Sequence, residues 1–108
     1  MNKNTLLCNN DVETAILAVP HGHQHLRLAF TSRSGDTIIL QEATVAAIVR
    51  AYTTVKSHPV RNAIKLVSVK PEQLKKGYAE DQLVEVDEDE VKIVAELSEL
   101  MEAAAKEC

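Results

Sequence analysis

The chain has 108 residues, of which 45 % are apolar, and its formal net charge is −4. This length suits one domain spanning residues 1–108, and the apolar share excludes a disordered chain. No apolar run approaches the ~20 residues that cross a bilayer, and the start of the chain lacks the apolar core of a secretory signal. We therefore expect a cytoplasmic protein without membrane contact. We expect residues 1–11 to form a flexible or irregular N terminus.

The two cysteines, Cys8 and Cys108, lie near opposite ends of the chain. A secreted domain held together by disulfides has more cysteines at closer spacing. We therefore expect both thiols to be reduced and to have no structural role.

The first third of the chain predicts a three-stranded antiparallel meander. Residues 12–19 are largely apolar at both odd and even positions, which is typical of a strand covered on both faces. A turn containing Pro20 and Gly22 leads to an alternating strand over 23–31, and a loop containing Gly35 leads to a third strand over 37–41. Glycine suits both turns because it adopts positive φ without strain.

The first strand carries apolar side chains for both faces of this sheet. Alternation places Ile16 on one face and Leu17 on the other. We expect Ile39 of the third strand to lie on the Leu17 face. One helix covers only one face, so the second face needs either the final helix or a second copy of the protein.

Residues 42–57 change from the period of a strand to that of a helix, which ends before Pro59. Its apolar stripe, which we expect to face the core, consists of Val45, Ile48, Val49, Tyr52 and Val55.

The remaining pattern predicts a strand over 63–69, a short helical segment over 70–77 and a short strand over 82–86. A final helix begins at Asp87, with Glu90 as the partner of a capping pair, and runs to Lys106. The fold class is therefore α+β: an antiparallel sheet, made of the N-terminal meander plus one or two further strands, is packed by a central helix and a long C-terminal helix.

Charge is distributed unevenly along the chain. Residues 1–42 carry −1, residues 43–79 carry +6 and residues 80–108 carry −9. The preferred interpretation is that the acidic final helix lies near the basic middle segment, in the same chain or in a neighbour. The alternative is that the basic segment 50–76 binds a small anion, with Arg61, Lys65 and His58 as ligands. Nucleic acid is not expected, since aromatic residues that stack on bases are scarce and the pI is about 5.5.

Three histidines, His21, His23 and His25, occur within five positions. On a strand His23 and His25 would share a face at a spacing that lets both bind one zinc-like transition metal ion, with His21 as a poorer third ligand. Only Glu13 or His58 is then available to complete the site. The preferred interpretation is that these histidines occupy an edge-strand or intersubunit face, and a pH-sensitive interface is a further alternative.

Motifs of catalysis are missing from the sequence. The chain has only three glycines and none in a phosphate-binding spacing, and it has neither a nucleophile elbow nor a CxxC pair. The sequence therefore predicts a homo-oligomeric α+β binding or assembly module that needs no cofactor and lacks catalysis of its own. The alternatives are a metal-binding protein, which includes a metalloenzyme, and an anion sensor.

Overall fold

The chain folds as an α+β protein in the computed structural model, which describes residues 3–70, 80–104 and 106–108. Strands β1 (Val12–Ala18), β2 (Arg27–Ser32) and β3 (Thr37–Gln41) form the predicted antiparallel meander with β2 in the centre. Helix α1 (Glu42–Ser57) follows directly. Strands β4 (Leu66–Val69) and β5 (Gln82–Glu85) pair antiparallel with each other in a second sheet, and helix α2 (Glu90–Ala103) completes the fold.

The loop between β2 and β3 shows why the meander forms. The Gly35 N–H donates to the Ser32 carbonyl at 3.0 Å, and the Ser32 N–H donates to the Asp36 carbonyl at 2.8 Å. Gly35 has φ of 96°, a value that side-chain-bearing residues rarely adopt. The predicted third strand and central helix are confirmed to the residue.

The second strand begins four residues later than the alternating pattern predicts. Pairing with β1 stops at Ala18 opposite Arg27. Just before that point the Leu26 N–H donates to the Glu42 carboxylate at 2.9 Å. Because this N–H is held by a side chain of α1, the segment before Arg27 forms a loop rather than a strand.

Further boundaries differ from the prediction, among them the end of α2, which lies at Ala103 and not at Lys106. Strand β4 begins at Leu66 instead of at residue 63, and α2 is capped by Asp89, whose carboxylate accepts from the Val91 N–H at 2.9 Å, and not by Asp87. The Val86 N–H donates to the Lys65 carbonyl at 3.1 Å. This bond continues the β4–β5 ladder beyond Glu85 and delays the start of the helix. Residues 71–77 of the helical segment predicted over 70–77 lie outside the described part of the chain.

Helix α1 turns inward only part of the predicted stripe, because Val45 and Val55 are half-buried and the other three residues are exposed. Ala47 is the buried residue of this helix, at 5 % exposed, and Ala51 and Thr54 beside it are half-buried. In contrast Ile48 and Tyr52, from the predicted core stripe, are 46 % and 65 % exposed. The helix thus packs through small residues together with Val45 and Val55, which are half-buried, and presents Ile48, Val49 and Tyr52 outward.

The interior of the single chain is thin as a result. Among the described residues the buried apolar side chains are Cys8, Ala47 and Ala63, and none of the large ones is fully buried.

Candidate functional site

The histidine cluster lies in the loop between β1 and β2 and not on a strand face. The His23 N–H donates to the Pro20 carbonyl at 3.1 Å and closes a turn in which Gly22 has φ of 78°. His21, His23 and His25 are all exposed. The expectation that His23 and His25 lie at i and i+2 of one strand is therefore wrong, because β2 begins only at Arg27.

His25 has a defined partner nonetheless. Its Nδ1 lies 3.2 Å from Oε2 of Glu42, the first residue of α1, and the same oxygen accepts from the Leu26 N–H. This carboxylate fastens the loop to the helix. Within the described ranges, no three His, Cys, Asp or Glu side chains come together as a metal site. Metal binding by the three histidines stays a prediction, and the geometry supplies it with no third ligand.

The basic segment meets acidic residues of the same chain. Arg61 pairs with Glu85, and Lys65 lies 2.8 Å from Glu96 of α2 and 3.5 Å from Glu88. The hydrogen bond with Glu96 raises the pKa of Lys65, because it stabilises the ammonium form. Intramolecular pairing between the basic middle and the acidic tail, the preferred interpretation of the charge distribution, is present in these contacts.

His58 has a structural task at the end of α1. Its backbone N–H donates to the Thr54 carbonyl at 3.0 Å. Its ring Nδ1 accepts from the Val60 N–H at 3.2 Å and from the Arg61 N–H at 3.1 Å. The anion-binding hypothesis for Arg61, Lys65 and His58 stays a prediction, and it requires an anion to displace carboxylates from both cations.

A disulfide joins Cys8 to Cys108, which corrects the expectation of two reduced thiols. Their Cα atoms are 5.5 Å apart although 100 positions separate them in the sequence. Sequence reasoning missed this bond because two distant cysteines pair only where the fold brings the chain ends together. The one available signal was the even count, which allows a single pairing.

Besides the disulfide, polar contacts join the N-terminal segment to α2 and to the residues that follow it. The Lys106 ammonium binds the Asp11 carboxylate, and the Cys8 N–H donates to the same carboxylate oxygen at 2.8 Å. These bonds, led by the one from Lys106, lower the pKa of Asp11. The Asn4 amide donates to the Leu100 carbonyl of α2 at 3.0 Å. The final helix is thus fixed to the start of the chain.

Both faces of the meander expose apolar side chains. Cross-strand pairing places Ile16, Ala29 and Ile39 on one face, which corrects the expectation that Ile39 lies on the Leu17 face. Ile16 is 62 % exposed and Ile39 is 64 % exposed. On the other face Leu17 is 57 % exposed. The strand that the sequence predicts to be covered on both sides is instead an exposed edge strand of the single chain.

Both helices also expose apolar stripes. We call the α1 stripe Ile48, Val49 and Tyr52, and the α2 stripe Val94, Leu97 and Met101. Each of these six side chains is between 44 % and 65 % exposed. Residues three and four positions apart share one side of a helix, so each stripe is continuous. In the single chain each helix therefore presents a continuous stripe of large apolar side chains to solvent.

Comparisons with protein-family models, with curated proteins and with solved structures found no match to this chain. Among the described helices, none is both long enough and apolar enough to pass through a bilayer. A proposal for the function of the protein therefore depends on the surface of the molecule itself.

Proposed function

We propose that the protein is a homodimeric assembly or binding module, in which a second copy covers the apolar surfaces that one chain leaves exposed. The supporting observation is the amount of surface. One chain exposes 8988 Å² to solvent. A monomer of this mass is expected to expose about 6,000 Å², so the excess is about 3,000 Å².

An excess of this size is more than one permanent dimer interface usually buries per chain, so contact with a second copy accounts for most of it but not for all of it. Obligate homodimers remove about 2,000–5,000 Å² in total, which is about 1,000–2,500 Å² per chain. The radius of gyration agrees, since its value of 16.0 Å exceeds the ~13 Å of a compact domain of this length.

The kind of surface also supports self-association. Large aliphatic residues on both sheet faces and on two helices are a poor match for a small polar ligand. In a twofold dimer, contact with a second copy buries the exposed apolar surface of both chains at once, and such dimers are the commonest assemblies. In this proposal the dimer is the functional unit, and the polar loops at its rim are available for a further partner.

Thermal unfolding at several protein concentrations tests the proposal. If folding requires association, mass action raises the unfolding midpoint as the protein concentration rises. A midpoint that stays constant over the same range means that the single chain is the stable unit, and it contradicts the proposal.

We further propose that the dimer works in the cytoplasm, where glutathione reduces most disulfides. The Cys8–Cys108 bond makes this proposal testable, because Cys108 is exposed and the bond is therefore open to exchange with glutathione. Rapid alkylation of intact cells, followed by mass spectrometry of the recovered chain, reports the thiol state. Alkylated thiols on both cysteines support the cytoplasm, and a fully oxidised population indicates an oxidising compartment.

A further inference from the structure

From the two helical stripes we infer which surfaces meet in the dimer: the α1 stripe of one copy docks antiparallel against the α2 stripe of the other. This inference rests on the proposed self-association and adds its geometry. In a twofold dimer the same contact then occurs twice, once from each chain, and the assembly closes without leaving either stripe open.

The first argument is the direction in which α1 faces. The helix packs on its own chain through a side that includes Ala47, Val45 and Val55, and it holds Ile48 and Tyr52 away from that chain. A helix whose only task is to cover a sheet places its large apolar side chains against the sheet. The orientation of α1 is therefore explained when a second surface receives the α1 stripe.

The second argument is that the two stripes match in length. At 1.5 Å per residue, α1 with its 16 residues is about 24 Å long and α2 with its 14 residues is about 21 Å long. Side chains at intervals of three and four residues on each helix form ridges that interdigitate when two helices pack side by side.

The third argument is charge complementarity, which also determines that the two helices run antiparallel. Lys56 lies at the C-terminal end of the α1 stripe, four positions after Tyr52, and it makes no ion pair with the described part of the chain. Glu90 lies at the N-terminal end of the α2 stripe, four positions before Val94. Its contact to Arg61 Nε in the same chain is long, at 3.9 Å.

An antiparallel arrangement brings Lys56 of one copy to Glu90 of the other, and it aligns the helix dipoles favourably. Pairing of α2 with a second α2 brings two acidic helices together instead, because the segment 80–108 carries −9. Pairing of α1 with a second α1 leaves both α2 stripes open. Of the three pairings, only α1 with α2 covers both stripes and sets opposite charges against each other.

Charged substitutions in the two stripes test the inference by sedimentation equilibrium. Tyr52→Glu and Leu97→Glu each place a carboxylate in the contact and are expected to weaken dimerisation about 100-fold or more, as is typical of residues at the centre of an interface. Tyr52→Phe keeps the ring and is expected to keep the dimer. Ala43→Glu, an exposed position of α1 outside the stripe, is the matched control and is expected to remain dimeric.

The outcomes separate this inference from the proposed function. A dimer that survives both stripe substitutions but dissociates in Ile39→Glu, on the sheet face, overturns the helix contact and leaves self-association standing. A wild-type chain that is monomeric throughout overturns both.

A measurement on the unmodified chain keeps the inference falsifiable if a variant fails to fold. Carbodiimide joins a lysine to a carboxylate only when the two touch. In dimers mixed from isotopically light and heavy chains, a crosslink between Lys56 of one label and Glu90 of the other is expected. If the crosslinks that join differently labelled chains lie only outside α1 and α2, the inference is wrong.

Discussion

Removal of the Cys8–Cys108 disulfide is expected to be the single most destabilising change at the chain ends. The perturbation is the double variant Cys8→Ser and Cys108→Ser, which avoids a lone reactive thiol. The bond spans 100 positions and so closes nearly the whole chain into one loop. For a loop of this length, restriction of the unfolded chain accounts for about 4.7 kcal/mol.

This magnitude is large for a protein of this size. Small domains are stable by about 5–15 kcal/mol in total, so loss of the bond removes a third or more of the free energy of unfolding. The entropy of unfolding of a chain of 108 residues is about 0.23 kcal/mol per kelvin, so the midpoint is expected to fall by about 20 °C.

The assay is thermal and urea unfolding of the oxidised protein, the reduced protein and the double serine variant. All three are measured at one protein concentration, because association shifts the midpoint. A thiol titration of the oxidised sample establishes that the bond is present. If that sample has no free thiol and yet unfolds at the midpoint of the serine variant, the loop-closure reasoning is refuted.

Two smaller effects are expected elsewhere in the chain, and a third measurement tests the metal hypothesis. Because the folded state lowers the pKa of Asp11 below its ordinary value of 3.8, the protein loses stability as the pH falls through that lowered pKa. In Asp11→Asn, acid unfolding followed by circular dichroism should show a smaller loss of stability at low pH. An unchanged loss rules out this carboxylate as its source. Removal of the α2 cap by Asp89→Ala is expected to lower the free energy of unfolding in urea by about 1 kcal/mol. Asp87→Ala, at the cap predicted from the sequence, should lower it much less. Equal losses of free energy contradict the assignment of Asp89 as the cap. Elemental analysis of the untagged protein tests the metal hypothesis. Bound metal that His25→Ala loses supports it, and equal metal content in both proteins removes His25 as a ligand.

The sequence predicts the local elements of this fold well, because they depend on neighbouring residues. The glycine at 35 determines the hairpin loop between β2 and β3, and the change of period at Glu42 marks the start of α1. The α+β class follows from the order of these elements. The pairing of the basic middle with the acidic tail was also predictable, since opposite charges of that size in one short chain attract.

Features that depend on distant residues could not be predicted. The start of β2 shifts because Glu42, sixteen positions away, takes the Leu26 N–H. The disulfide requires the two chain ends to meet. The orientation of α1 is the clearest case: periodicity identifies the apolar side of a helix, but it does not reveal whether that side faces its own sheet or another molecule.

The central claim is that a second copy covers the apolar surfaces of each chain, and native mass spectrometry of the disulfide-bonded protein at micromolar concentration tests it most directly. Two chains of 11.9 kDa give a particle of about 24 kDa, which is the mass that the account predicts. A single species at 11.9 kDa across the micromolar range contradicts it.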